Sequence, residues 1–183
     1  MKHLGTQRLE TERLVLRRFT MEDAQAMFEN WASDPEVTKF LSWPTHQTIA
    51  DSRSVLSEWT EQYQNDSFYE WAIVEKEAGE PVGSIGVVSS DLQVQKAHIG
   101  YCIGRRWWHR GITSEALQAV IGFLFDEVHV RRIDSQHDPR NPHSGNVMKK
   151  CGLRYEGTLR KSFWNNQGVC DACYYSILSE ERS

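Results

Sequence analysis

The sequence predicts an α/β fold built on a mixed sheet, and three observations carry that prediction. Strand-like and helix-like segments alternate along the 183 residues instead of segregating. Ile112, Ala116, Leu117, Val120, Ile121, Leu124, Phe125 and Val128 recur at three- and four-residue steps, which marks one strong amphipathic helix. Three β-rich runs sit together in the middle of the chain, separated by turn residues.

Each element follows in order. Glu12–Phe19 alternates apolar and charged residues and reads as the first strand. Thr20 with Asp23 three residues on is an N-terminal box ahead of Ala24, Met27, Phe28 and Trp31. Asp34-Pro35 ends that helix and opens a short one towards Leu41. A third helix follows Thr48 and carries Ile49, Val55, Leu56 and Trp59 on one face. Phe68–Val74, Pro81–Val88 and Val94–Ile103 are strands, with a hairpin turn at Gly79-Glu80-Pro81 and another near Asp91. After the strong helix come a strand at Arg131–His137, a helix at Pro142–Lys150 with Gly152 beyond its end, and two closing strands. No repeat, low-complexity tract or linker interrupts the chain, so 1–183 is expected to form a single domain.

Composition excludes several classes. With 39% hydrophobic and 25% charged residues the chain is neither fibrous nor disordered. A net charge of −4 gives no basis for non-specific binding to nucleic acid or to an anionic membrane. No apolar run approaches the ~18 residues of a membrane span, and the polar stretch Met1–Arg8 has no signal-peptide core, so a cytoplasmic protein is expected. Cys170-x-x-Cys173 suggests half a zinc site, but it falls in a strand, where residues three apart point to opposite faces. Free thiols and no metal are expected. His137 and His143 lack further ligands at convincing spacing, and no nucleotide phosphate loop of the Gly-x-x-x-x-Gly-Lys or Gly-x-Gly-x-x-Gly type is present.

The most informative stretch is Gly104–Ala116, which joins a strand directly to the strongest helix. A helix N-terminus offers unpaired N–H groups and the positive end of its dipole to phosphate oxygens. Gly111 allows close backbone approach, Thr113 and Ser114 can add hydroxyl donors, and Arg105, Arg106 and Arg110 add charge. Solvated arginines at an ordinary strand–helix joint are the plainer explanation. In Asp138–Leu153, Asn141 is a natural N-cap, and its amide could equally bond a peptide-like ligand.

Together these stretches resemble the GNAT superfamily of acetyl-CoA-dependent N-acetyltransferases, and most closely its branch of ribosomal-protein N-terminal acetyltransferases, RimJ and RimL. The resemblance runs through Leu9–Arg17, Asp34–Val37 with Trp43-Pro44, Trp108–Ala116, Asn141-x-x-Ser144, Lys150-x-Gly152-Leu153 and Gly168-x-x-Asp171. It implies a mixed central sheet of about seven strands flanked by helices, with a V-shaped split between two parallel strands. It implies that the backbone of Tyr101, Cys102 and Ile103 pairs with the pantetheine arm of acetyl-CoA. The loop of His109, Arg110, Gly111, Ile112, Thr113 and Ser114 would hold the pyrophosphate, and Asn141 would bond the pantetheine. Trp108, His109 and Thr113 depart from the family's loop consensus, and His109 must adopt backbone angles usually left to glycine.

Direct transfer needs a neutral amine, a donor for the oxyanion and a proton for the leaving thiolate. The resemblance offers Ser144 for the last role, since Met148 stands where many relatives carry a tyrosine. No general base is evident: the glutamate of some relatives aligns with Phe163, and Glu70, His98, Asp134 and His137 are each explicable as strand-edge polar residues. An α-amine of pKa ~7.7 is roughly 15% neutral at pH 7, whereas a lysine of pKa ~10.4 carries a handicap of about 4.6 kcal/mol. The expected acceptor is therefore a peptide N-terminal α-amine, with a polyamine or antibiotic amine as the alternative and a non-catalytic CoA sensor as the reading from another class. Trp43, beside Pro44 in a loop, is the expected acceptor-pocket residue. The expected partners are acetyl-CoA and the amine, and a homodimer is compatible with the sequence.

Overall fold

A computed structural model of the chain describes residues 1–182. Eight strands form one sheet: β1 (Leu9–Glu10), β2 (Leu14–Arg17), β3 (Glu70–Glu75), β4 (Pro81–Asp91), β5 (Lys96–Ile103), β6 (Arg132–His137), β7 (Arg154–Asn165) and β8 (Gly168–Leu178). Their order is β1-β2-β3-β4-β5-β6-β8-β7. The eighth strand is β1, a two-residue piece that pairs back on the predicted first strand across a turn at 11–13.

Among the described residues five α-helices pack on the sheet: α1 (Ala24–Met27), α2 (Pro35–Thr38), α3 (Ile49–Gln62), α4 (Ile112–Asp126) and α5 (Pro142–Lys150). The box at Thr20/Asp23 forms as the sequence indicates, and a second box forms at Thr48/Asp51. The first helix is broken up, however: a 3₁₀ turn precedes α1 and a wide π turn over Phe28–Ala32 follows it. That turn still buries Trp31 completely, because the tertiary demand to bury a large aromatic outweighs regular hydrogen bonding.

Alternation along the strands separates two cores. Trp71, Ile73, Ile85, Ala97 and Ile99 face α4, where Ile112, Ala116, Leu117, Val120, Ile121 and Leu124 meet them. Ala72, Val74 and Cys102 face the other way and pack with Phe19, Met27, Trp31 and Leu56 of the α1–α3 layer.

One feature of the sheet positions the site. Every neighbouring pair is antiparallel except β5–β6, which is parallel and registers over only Lys96↔Arg132, Ala97↔Ile133 and His98↔Asp134. The Ser135 hydroxyl then donates to the Ile99 carbonyl at 2.7 Å. Beyond that point the strands part, leaving Gly100–Ile103 without a partner on the β6 side.

Candidate active site

A cavity of about 380 Å³ opens where β5 and β6 separate. Its floor is Tyr101, Cys102 and Ile103 of β5. Gly111, Ile112, Thr113 and Ser114 at the start of α4 form one side, and Asn141, Ser144, Val147 and Lys150 of α5 form the other. Because the Ile99 carbonyl faces β6, alternation turns the backbone groups of Tyr101 and Ile103 to the gap as well. The Ile103 carbonyl accepts from the Trp108 indole N–H at 3.0 Å, which leaves the Tyr101 groups and the Ile103 N–H as a template for an extended amide-bearing chain.

The turn into α4 is built for close approach. Gly111 sits at φ +76° and His109 at φ +60°, both left-handed. His109 thus takes the conformation that the sequence demanded of it, at a cost of about 1–2 kcal/mol. α4 has no side-chain N-cap, so the amides of its first turn are free for an anion.

The charge around this turn differs from the sequence expectation. Arg105 pairs with Asp34 at 2.9 Å, and Arg106 lies over the Trp107 ring and donates to Asn30. Arg110 donates to the buried Glu75 carboxylate at 2.9 Å, which also takes the Trp107 indole N–H at 2.8 Å. All three arginines pin the loop instead of offering their charge to a ligand. The cations nearest the turn are Arg13 and Lys150: a Cβ placed on Gly111 would lie 3.5 Å from Arg13 Nη2 and 3.6 Å from Lys150 Nζ. Arg13 also donates to the Arg110 carbonyl at 2.9 Å, and Glu115 fixes it through a 2.7 Å ion pair.

Asn141 stands at the N-cap position of α5, yet its side chain makes no capping bond. Capping, its expected job, is not done, and the amide lines the cavity. Ser144 donates to the Tyr101 hydroxyl at 3.1 Å, and that hydroxyl donates to the Ser144 carbonyl at 2.9 Å. This pair bridges the two arms of the split. Burial pushes the Tyr101 hydroxyl well above its usual range, so it stays protonated. Met148 is completely buried and does not reach the cavity.

Trp43 does not line the cavity. Its ring packs on His46 at 5.3 Å and on the α1–α3 cluster, while its carbonyl accepts from Asn166 of the β7–β8 turn. Val37, Phe40 and Leu41 line the cavity instead. His109 and His143 meet edge to face at its rim, 4.9 Å between centroids. His143, Val147 and Lys150 of the lining were legible in principle, since they stand at i, i+4 and i+7 and so share a helix face. Nothing local marked Arg13, whose contact with α4 spans about a hundred residues.

The four candidate bases also have definite places, none of them in the cavity wall. His98 bonds Asp134 at 2.7 Å where β5 and β6 are still paired, and Lys96 and Arg132 complete an ion cluster there. Asp134 is held below its usual range against the cost of burial, chiefly by the His98 hydrogen bond. His137 Nδ1 faces the Asp138 carbonyl, and its ring packs against Tyr175 and Gly145. Glu70 lies on β3, on the α1–α3 side of the sheet.

Among the described residues no cluster of His, Cys, Asp or Glu could hold a metal, and Cys170 and Cys173 are free thiols with different neighbours, Asn165 and Thr158. No helix of the described residues is long and apolar enough to cross a membrane.

A split β5–β6 pair with an uncapped, glycine-led helix beside it is matched by comparison with known proteins. Residues 13–154 match the family model described as "Acetyltransferase (GNAT) domain". The chain belongs to the GNAT acetyltransferases. It is 31% identical over 173 residues to an uncharacterized N-acetyltransferase, p20, of Bacillus licheniformis, covering 94% of this chain and 97% of that one. It is 26% identical over 160 residues to the [ribosomal protein uS5]-alanine N-acetyltransferase of Escherichia coli, covering 82% and 79%. The crystal structure of a GNAT-family acetyltransferase from Bacillus anthracis superposes with a TM-score of 0.83 at 27% identity, over 95% of this chain and 99% of that one. The GNAT protein described here is an acetyl-CoA-dependent N-acetyltransferase that acts on an amine.

Proposed function

We propose that this GNAT enzyme acetylates the N-terminal α-amine of a peptide or protein, within the RimJ/RimL-like branch and in the cytoplasm. The observation that carries the proposal is the chemistry of the cavity wall, which contains no aspartate or glutamate. A polyamine or aminoglycoside brings several positive charges and needs carboxylates to hold them. An α-amine brings one, on a chain whose remaining length can lie along the split. The uS5-alanine acetyltransferase of E. coli, by its name an enzyme for an N-terminal alanine, supports the same choice.

The residues fit acetyl-CoA. The free edge of Tyr101–Ile103 would pair with the pantetheine, the Asn141 amide would bond it, and the amides from His109 to Ser114 would take the pyrophosphate with Arg13 and Lys150 beside them. Acetyl-CoA supplies the thioester that the amine attacks. A β5 amide facing the gap, that of Tyr101 or Ile103, would stabilise the oxyanion. The Ser144 hydroxyl, held by Tyr101, would pass a proton to the departing thiolate. Val37, Phe40 and Leu41 would take the acceptor's first side chain, with Trp43 packed against the α1–α3 cluster.

The test is thiol release from acetyl-CoA against peptides with different first residues, ε-amines, polyamines and aminoglycosides. Turnover confined to the polycations would overturn the proposal.

A further inference from the structure

The proposed mechanism lacks a group to take the proton from the incoming ammonium, and the sheet supplies one outside the cavity wall. Glu70, Gly86 and Gly100 are directly paired across β3, β4 and β5. The next row is Ala72, Ser84 and Cys102, and Cys102 forms part of the cavity floor. All six point to the α1–α3 side of the sheet, the side from which the acceptor would reach the split. Gly86 leaves room for the Glu70 side chain: a Cβ there would collide with Glu70 Oε2 and with the Tyr69 carbonyl. The carboxylate therefore lies over β4, about one strand spacing of 4.8 Å from β5. Gly100 marks the place where β5 leaves β6, and the exposed Val88 side chain of β4 covers it, with Val88 Cγ2 2.8 Å from where a Cβ would stand. The Ser84 side chain, which bonds the carboxylate, lies 3.6 Å from Cys102 Sγ of the cavity floor and so links Glu70 to the site.

The Glu70 backbone is fixed as well as its side chain. Its N–H donates to Thr6 Oγ1 at 3.0 Å, and its carbonyl accepts from the Tyr63 hydroxyl at 2.8 Å. Neither bond is needed to complete the sheet, and together they hold the residue at the strand end.

We propose that Glu70 removes the proton from the acceptor ammonium, directly or through one water. The proposal rests on the acceptor approaching over the α1–α3 face, and it holds for any amine acceptor. In the step, one carboxylate oxygen takes a proton from R–NH3⁺, giving a carboxylic acid and R–NH2. The nitrogen lone pair then attacks the thioester carbonyl, the C–S bond breaks, Ser144 gives a proton to the thiolate, and the second proton shed by the new amide nitrogen restores Ser144 through water. The Glu70 proton returns to water before the next cycle. Burial raises the Glu70 carboxyl to about 8, against the opposing effect of a Ser84 hydrogen bond. A base with that affinity is matched to an amine near neutral pH. The titratable groups facing it are the Tyr63 hydroxyl from α3 and the Cys102 thiol from β5. Burial pushes both upward, Cys102 to about 11, so both are neutral while Glu70 titrates. The His98–Asp134 pair lies further along the same face of β5.

The experiment compares wild type, Glu70→Gln and Glu70→Asp across pH, with a series of peptides fluorinated at the first residue so that the α-amine pKa falls stepwise from ~7.7. In Glu70→Gln, kcat is expected to fall ~100-fold or more with acetyl-CoA affinity unchanged. The acid limb near pH 8 should vanish, and the loss should shrink as the acceptor pKa falls. Glu70→Asp should recover part of the rate. A Glu70→Gln rate within about threefold of wild type, an unchanged acid limb, or an equal loss on every acceptor overturns the proposal. If wild type turns over no acceptor, the acceptor assignment is what has failed. Glu70 is then judged by ¹³C NMR of its carboxyl in the acetyl-CoA complex: titration near 8 supports the assignment, and titration at the ordinary ~4.3 overturns it.

Discussion

Replacing Gly111 separates the backbone from the charge in the proposed pyrophosphate site. At φ +76° a Cβ costs about 1–2 kcal/mol, so Gly111→Ala should lower the melting temperature by about 2–8 °C for a chain of this size. Space is not the obstacle, because the nearest heavy atoms to that Cβ are the ends of Arg13 and Lys150 at 3.5 and 3.6 Å. Gly111→Glu carries the same backbone strain and adds a carboxylate among those two cations. A negative charge about 5 Å from a phosphate costs roughly 3 kcal/mol at an effective dielectric of 20, or about two orders of magnitude in Kd. The assay is acetyl-CoA titration by calorimetry, with thermal melts on the same samples. Gly111→Ala should lose stability and little affinity, while Gly111→Glu should lose both, with a penalty that shrinks at high salt. Equal acetyl-CoA affinity in wild type and Gly111→Glu would refute the placement of the pyrophosphate at this turn.

Three further outcomes are expected. Ser144→Ala should lower kcat at least tenfold with little change in acetyl-CoA affinity, and a wild-type rate would remove the hydroxyl from proton transfer. Tyr101→Phe removes both bonds to Ser144 across the split, so denaturant melts should show a loss of about 2 kcal/mol, and an unchanged midpoint would mean the bridge contributes nothing. Asp138, almost fully buried, is held far below the usual carboxylate range chiefly by Arg140, with Asn165 assisting. A depressed carboxyl stabilises the fold above its unfolded value of ~3.9 and loses that contribution as pH falls. Asp138→Asn should therefore cost about 2–3 kcal/mol at pH 7 and progressively less below pH 4, as read from melts across pH.

The parts of this molecule legible in its sequence are those fixed by neighbours along the chain. The register of α4, the capping boxes at Thr20 and Thr48, the hairpin at Gly79 and the extent of α5 all follow from spacing within a few residues. The left-handed turn at His109–Gly111 could be placed as well, because a glycine directly before a strong helix leaves few alternatives. What remained hidden depends on distant partners. Arg105, Arg106 and Arg110 look like free cations in a loop, but Asp34, Asn30 and Glu75 lie 35–76 residues away in the chain and claim them. Arg13 and Lys150 approach the same turn from opposite ends of the domain-matching region. Trp43 reads as a pocket residue because it is an aromatic in a loop; it is half-buried against the α1–α3 cluster, and Val37, Phe40 and Leu41 line the cavity. The link from Glu70 through Ser84 to Cys102 exists only through strand register, which no single segment displays.

The most direct test of the acceptor assignment is initial-rate thiol release from acetyl-CoA with purified protein, comparing free peptide N-termini with the same peptides blocked at the α-amine but retaining a lysine. The expected result is turnover of the free N-termini and none of the blocked peptides, with mass spectrometry placing one acetyl group on the first residue. Equal turnover of the blocked peptides, or acetylation found on the lysine, would contradict it.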